Sequence, residues 1–113
     1  MFEELAQLDK NGVDYKGRLK LSSRATLVSQ IQIEADSKSE DKKQKEDLTQ
    51  MLGTTKRGIG PSYASKALRM SLRVGDLADW TTFLEKYDRF LKNFNEYFNI
   101  QNFDKKKELD TLR

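Results

Sequence analysis

Large apolar residues recur at helical spacing in two stretches of the chain and thin out between them. Phe2, Leu5 and Leu8 step by three, and Asn11-Gly12 follows with residues that tolerate a left-handed stop, so a short first helix is predicted. Residues 18–22, Arg-Leu-Lys-Leu-Ser, alternate polar and apolar in the manner of a short, half-buried strand. From Ala25 the positions Leu27, Val28, Ile31 and Ala35 fit one helix face, although Ile31 and Ile33 also suit a strand; a helix is predicted. Residues 36–47, DSKSEDKKQKED, hold no large apolar side chain. Burial there has little with which to offset the entropy of ordering, and a solvated loop or fraying helix end is predicted. The strongest periodicity comes last, with Asp79 as N-cap and Trp80, Phe83, Leu84, Tyr87, Leu91, Phe94 and Phe98 following at steps of three and four. A short terminal helix is predicted over 105–112.

The fold class expected is therefore mostly α with one short strand. Its order is 1–35 helix–strand–helix, 36–47 charged loop, 48–75 glycine-rich loop and basic helix, and 76–113 aromatic amphipathic helix and terminal helix. The stripe of rings offers two uses, a packing surface or a platform on which bases stack. Rings at this spacing are far more often packing, and packing is the reading adopted. Composition adds a condition: hydrophobic residues are 36% and charged residues 35% of the 113. That is lean for a globular domain. The stripe is expected to dock on a body outside this chain.

Charge and residue types narrow the chemistry. Lysine and arginine number 21 against 18 acidic residues, so attraction for an anion must be local and not a property of the whole surface. There is no cysteine and no histidine, which excludes disulfides, thiolate chemistry and the commonest proton shuttle and metal ligand. No metal site is expected within the chain. No apolar run approaches membrane-spanning length and no signal-peptide layout is present, so a soluble, cytoplasmic protein is expected.

Turn residues concentrate in one place. Gly53, Thr54, Thr55, Gly58, Gly60 and Pro61 lead into Lys66, Arg69 and Arg73, which at steps of three and four are expected to share one helix face. Glycines let a ligand approach the main chain, and Pro61 reads as the first position of a helix whose positive end would face the loop. Guanidinium groups beside it suit a phosphate or carboxylate. It is not a Walker A loop, because Ile59-Gly60 stands where lysine and serine or threonine are required. The dinucleotide fingerprint fails too, at Tyr63, and the DxxG form of Asp9 to Gly12 is explained by a helix end. What remains is an anion site at a helix N-terminus, or a glycine-rich connection with a solvated basic face. A non-enzymatic module binding nucleic acid through residues 56–73 is the alternative function.

Gly58-Ile59-Gly60-Pro61-Ser62-Tyr63-Ala64-Ser65-Lys66-Ala67-Leu68-Arg69 resembles the GIGPxYxxKxxR pattern of adenylosuccinate synthetases. Gly53 to Arg57 is similar to the segment that leads into it, Leu72 to Leu77 to the LRVGDL that follows, and Arg18 to Val28 to an upstream RLxxSxRAHLV. Thr26 stands where that pattern has histidine, and Ser71 where the family has glycine. The resemblance implies a helical segment of a larger α/β, P-loop-like fold. It implies an enzyme that joins IMP and L-aspartate with hydrolysis of GTP in the presence of Mg²⁺. Thr55 would hold the IMP 5′-phosphate, and Arg69 would reach across a homodimer interface to the IMP of the other subunit. Arg57, Lys66 and Arg73 would be supporting basic residues. The family's phosphate loop, catalytic aspartate and histidine, and guanine-recognition segment have no match here. An internal piece, inactive alone and without the GTP and Mg²⁺ ligands, is the expectation.

Overall fold

A computed structural model describes residues 1–46 and 56–113. The helices among them are α1 (Phe2–Lys10), α2 (Gln30–Glu46), α3 (Ile59–Ala67), α4 (Trp80–Phe98) and α5 (Lys105–Leu112), with a 3₁₀ turn at Val74–Ala78 before α4. Helix α1 has Glu3 and Glu4 in its first turn and Lys10 in its last, each matched to the helix dipole, and it stops where Gly12 turns left-handed at φ 70°. None of its residues is buried.

Residues 18–22 do not form the expected strand. Alternation makes a strand only when another edge takes up its hydrogen bonds, and among the described residues none lies alongside; Leu19 and Leu21 remain exposed. β-Pairing among the described residues is a single isolated bridge between Thr26 and Arg73.

Helix α2 starts at Gln30 and not at Ala25, because Ser29 stands before it as a cap, its Oγ accepting the Ile31 N–H at 3.4 Å. Gln32 Oε1 accepts the Ser29 N–H at 2.9 Å. The helix then runs through the segment expected to be a charged loop, as far as Glu46. Glutamate, lysine and glutamine are good helix formers, and the segment is tied down by its acids where apolar groups are lacking. Asp36 Oδ2 accepts the Gly58 N–H at 3.0 Å, and Asp41 pairs with Lys56 at 3.0 Å.

Helix α4 begins at Asp79, whose carboxylate accepts from Thr81 and Thr82 N–H and from the Thr82 hydroxyl. The Thr82 hydroxyl is the main influence holding that carboxyl below its usual range. The helix ends at Asn99, left-handed at φ 48°. Trp80, Phe83, Tyr87, Phe90, Phe94 and Phe98 form a continuous ladder of rings, neighbours 4.3–6.5 Å apart between centroids. The sequence reading omitted Phe90, which is buried. The ladder is packing, as expected, but its cover lies inside the chain: Ile31 and Ala35 of α2, Leu72 and Ile100 complete the core.

Helix α5 closes one end through Glu108. Its carboxylate accepts from the Ser29 hydroxyl at 2.9 Å, from Gln30 N–H at 2.7 Å and from the Tyr87 hydroxyl. Burial first, and then this bond to an anion, push the Tyr87 hydroxyl far above the ordinary 10.0. A group whose folded value is raised adds stability that is fully present below its unfolded value and is lost as pH rises beyond it. Unfolding is therefore expected to become progressively easier above pH 10.0, where the unfolded tyrosine ionises and the folded one does not. In an alkaline titration, one of the four tyrosines should ionise only together with the loss of helical signal. A Tyr87→Phe chain should lose that late step; its persistence would assign the step elsewhere.

Candidate functional site: a basic cleft at the end of α3

The glycine-proline corner is built on α2. Gly58 takes a left-handed conformation, φ 75° and ψ 14°, as the N-cap of α3, and Ser62 N–H closes the first turn on Gly58 carbonyl at 3.0 Å. Pro61 sits at the third helical position and not the first; its missing N–H still falls among those without an intrahelical acceptor. On the side facing α2, Gln32 Nε2 donates to Ser65 Oγ at 3.1 Å, and Ser65 Oγ donates to Pro61 carbonyl at 2.9 Å. All these side-chain groups are buried and paired, so α3 is held in one register on α2.

Helix α3 ends at Ala67, so Lys66, Arg69 and Arg73 do not share a helix face, contrary to expectation. Arg69 N–H bonds to Lys66 carbonyl and Met70 N–H to Ser65 carbonyl, the paired bonds of a Schellman ending. That ending puts Arg69 at the position where glycine is usual, left-handed at φ 58°. The bend thus falls at Arg69 and not at Ser71, which has no positive φ and no need of the family's glycine. Lys66 instead borders a small hollow with Thr26, Ser62 and Tyr63. Thr26, expected to pack in a helix, lies in the extended bridge to Arg73.

Arg73 is fixed from two sides. Leu27 N–H bonds to Leu72 carbonyl and Val74 N–H to Ala25 carbonyl, both at 2.9 Å, and Arg73 Nη1 donates to Arg24 carbonyl at 2.6 Å. Its own N–H bonds to Asp76 Oδ2 at 2.8 Å, and Asp76 also pairs with Lys86 of α4. Burial opposes the charge on Asp76, but the Lys86 bond, the Arg73 N–H and the two nearby cations prevail and hold its carboxyl below the ordinary range.

Arg69, Arg73, Lys86 and Arg89 line a cleft of about 310 Å³ together with Asn93, and its carboxylate is Asp76, already engaged by Lys86 and Arg73. Four cations against one occupied carboxylate make a place for an anion. Of the sequence-predicted residues, the cleft brings together Arg69 and Arg73. Lys66 is apart from it, Arg57 is exposed beside Gly58, and Thr55 lies outside the described residues. Lys86 and Arg89 were missed; their signal was a pair of cations three apart on the polar side of α4. Among the described residues no group of three or more acidic, histidine or cysteine side chains is arranged to hold a metal ion, so they do not fit Mg²⁺. No helix among them is long and apolar enough to cross a membrane.

The fold is that of a helical segment of a larger synthetase. The chain belongs to the adenylosuccinate synthetase family, whose family model matches residues 1–113. It is 56% identical to an adenylosuccinate synthetase of Paramecium tetraurelia over 113 residues, all of this chain and 25% of that protein. It is 49% identical over 87 residues to the chloroplastic adenylosuccinate synthetase 1 of Physcomitrium patens, covering 77% of this chain and 16% of that one. Its structure matches that of the fully ligated adenylosuccinate synthetase from Plasmodium falciparum with a TM-score of 0.82 at 35% identity, over 97% of this chain and 26% of the other. The chain thus spans about a quarter of the length of the Paramecium and Plasmodium proteins. The nucleic-acid alternative finds no support among these relatives.

Proposed function

We propose that this chain serves an enzyme that joins IMP and L-aspartate into adenylosuccinate with hydrolysis of GTP, and that its part is to grip the IMP 5′-phosphate. In this reading Arg69 reaches the IMP bound by the other subunit of a homodimer. Thr55 contacts the phosphate, and Arg57, Lys66 and Arg73 support the positive field. GTP and Mg²⁺ are held by parts of the enzyme other than the residues described above, and the enzyme works in the cytoplasm.

The observation that carries this reading is the conformation of Arg69. A left-handed backbone costs a non-glycine residue about 1–2 kcal/mol, and such strain persists where a function needs it. Here both bonds of the helix ending fix the backbone of an exposed arginine that lines the cleft, so its side chain departs from one set place. Asp76 is occupied by Lys86 and the Arg73 N–H and does not compete for Arg69 or Arg89. A phosphate dianion entering the cleft finds donors ready, with little reorganisation left to make.

The test is Arg69→Leu in the full-length synthetase that carries this segment. Losing a charge-assisted contact of ~3 kcal/mol should raise the IMP KM about a hundredfold and leave the GTP KM little changed. Arg69→Gly should lose IMP in the same way yet unfold at a higher temperature, since glycine relieves the strain. In mixed dimers, an Arg69→Leu subunit should be complemented by one lacking the active-site base. An unchanged IMP KM, or no complementation, ends the shared-site reading.

A further inference from the structure

Helix α2 does more than cover the ring ladder. Asp36 is 8% exposed, and its carboxylate accepts the N–H of Gly58, at the positive end of α3. Five positions further along, Asp41 pairs with Lys56, but both of those side chains are largely exposed. An exposed pair of this kind contributes little. Asp36 therefore sets the start of α3, while Gln32 and Ser65 set its last turn. Arg69 stands four residues beyond Ser65, on an ending whose bonds are made to Ser65 and Lys66 carbonyls. No slack lies between the Asp36 carboxylate and the backbone of Arg69: one short helix, pinned at two points, connects them.

We propose that Asp36 is a positioning residue for the anion cleft, acting through α3 on Arg69. An anion at the head of α3 was expected from the sequence, and the structure supplies one from within the chain. The corner that resembles a ligand cradle is occupied by a fixed internal carboxylate, and the ligand-gripping group lies at the other end of the helix. Asp36 touches no substrate. Its effect is geometric: loss of the bond frees the left-handed Gly58 turn and leaves α3 held at the Gln32–Ser65 contact alone, so the helix can turn there and carry the adjoining ending at Arg69 with it. A misplacement of about 1 Å at a binding group is enough to cost one to two orders of magnitude.

This inference rests on the IMP-phosphate reading, and the experiment separates the two. In the full-length synthetase, well below its melting temperature, Asp36→Ala should raise the IMP KM roughly tenfold while kcat and the GTP KM stay close to wild type. Asp36→Asn keeps an acceptor oxygen and should restore the IMP KM to within about threefold. Asp41→Asn should match wild type. If Asp36→Ala does not yield folded enzyme, Asp36→Glu decides: it keeps the charge, pushes the carboxylate out by one methylene, and should still raise the IMP KM several-fold. An Asp36→Ala or Asp36→Glu enzyme that lowers the melting temperature but leaves the IMP KM unchanged, or raises IMP and GTP KM alike, overturns the positioning role. Arg69→Leu is measured alongside. If it raises the IMP KM and Asp36→Ala does not, only the positioning inference fails; if Arg69→Leu has no effect, both fail.

Discussion

Gly58→Ala is expected to destabilise this helical unit by about 2–5 kcal/mol, the sum of two independent penalties. The first is conformational. Gly58 sits at φ 75°, where an alanine methyl crowds the following carbonyl at a cost of roughly 1–2 kcal/mol. The second is steric. A Cβ on Gly58 would lie 2.9 Å from the Ile33 nitrogen and 3.0 Å from the Gln32 carbonyl carbon. Those are backbone atoms in the first turn of α2, held by the bonds to Ser29, and they cannot rotate aside as a side-chain tip would. Relief requires α3 to move off α2, straining the Asp36 and Ser65 bonds; overpacking of this kind costs about 1–3 kcal/mol. Gly60 is the control. Its added Cβ would meet nothing within 4 Å and its φ is not positive, so Gly60→Ala, inside a helix, should be neutral or stabilising by up to ~1 kcal/mol. Urea unfolding of the two variants reads the contrast, and similar midpoints would show that the close approach of α2 and α3 is not what requires glycine at residue 58.

What the sequence showed of this fold follows how local each signal is. Helices α1, α4 and α5 were legible because period and caps agreed: Asn11-Gly12 after α1 and Asp79 before α4 act within a single turn. The glycine-proline corner was legible as a corner. Residues 36–47, expected as a solvated loop or a fraying helix end, are helix as far as Glu46, and the tie that a local pattern could not show is the Asp36 carboxylate reaching Gly58 across the chain. The strand over 18–22 failed for the opposite reason: its pattern was right, and among the described residues no partner edge meets it. One local signal was available in the sequence, the Ser-x-x-Gln spacing of Ser29 and Gln32, which starts α2 five residues later than the apolar pattern suggested. The cleft was half legible. Arg69 and Arg73 were named, but on a helix face that the chain leaves after Ala67, since nothing about an arginine announces that it will occupy a glycine's position. Lys86 and Arg89 join them only because α4 folds back beside the 3₁₀ turn.

Phe83→Ala is expected to remove about 3–5 kcal/mol, enough to take most of the stability of a unit this size. Phe83 has no exposed surface, and its ring lies between those of Trp80 and Tyr87, at 5.2 and 5.7 Å between centroids. Truncation removes the ring from water-free packing and leaves a cavity, and the surrounding rings close it poorly because each is already held in the ladder. Tyr97, on the same helix but 65% exposed, is the matched control, with Tyr97→Ala expected to fall within about 0.5 kcal/mol of wild type. The comparison decides between two accounts of the ring stripe. Rings waiting to dock on an outside body would be dispensable to the folded unit, and Phe83→Ala would behave like Tyr97→Ala. Rings covered by Ile31, Ala35, Leu72 and Ile100 are the core, and their loss should also loosen α2, on which α3 and Arg69 are carried. Phe83→Ala should therefore weaken anion binding at the cleft in proportion to the fraction unfolded, and stabilising osmolyte should restore it. Arg69→Leu should show no such rescue, because there the fold is intact and the gripping group itself is gone.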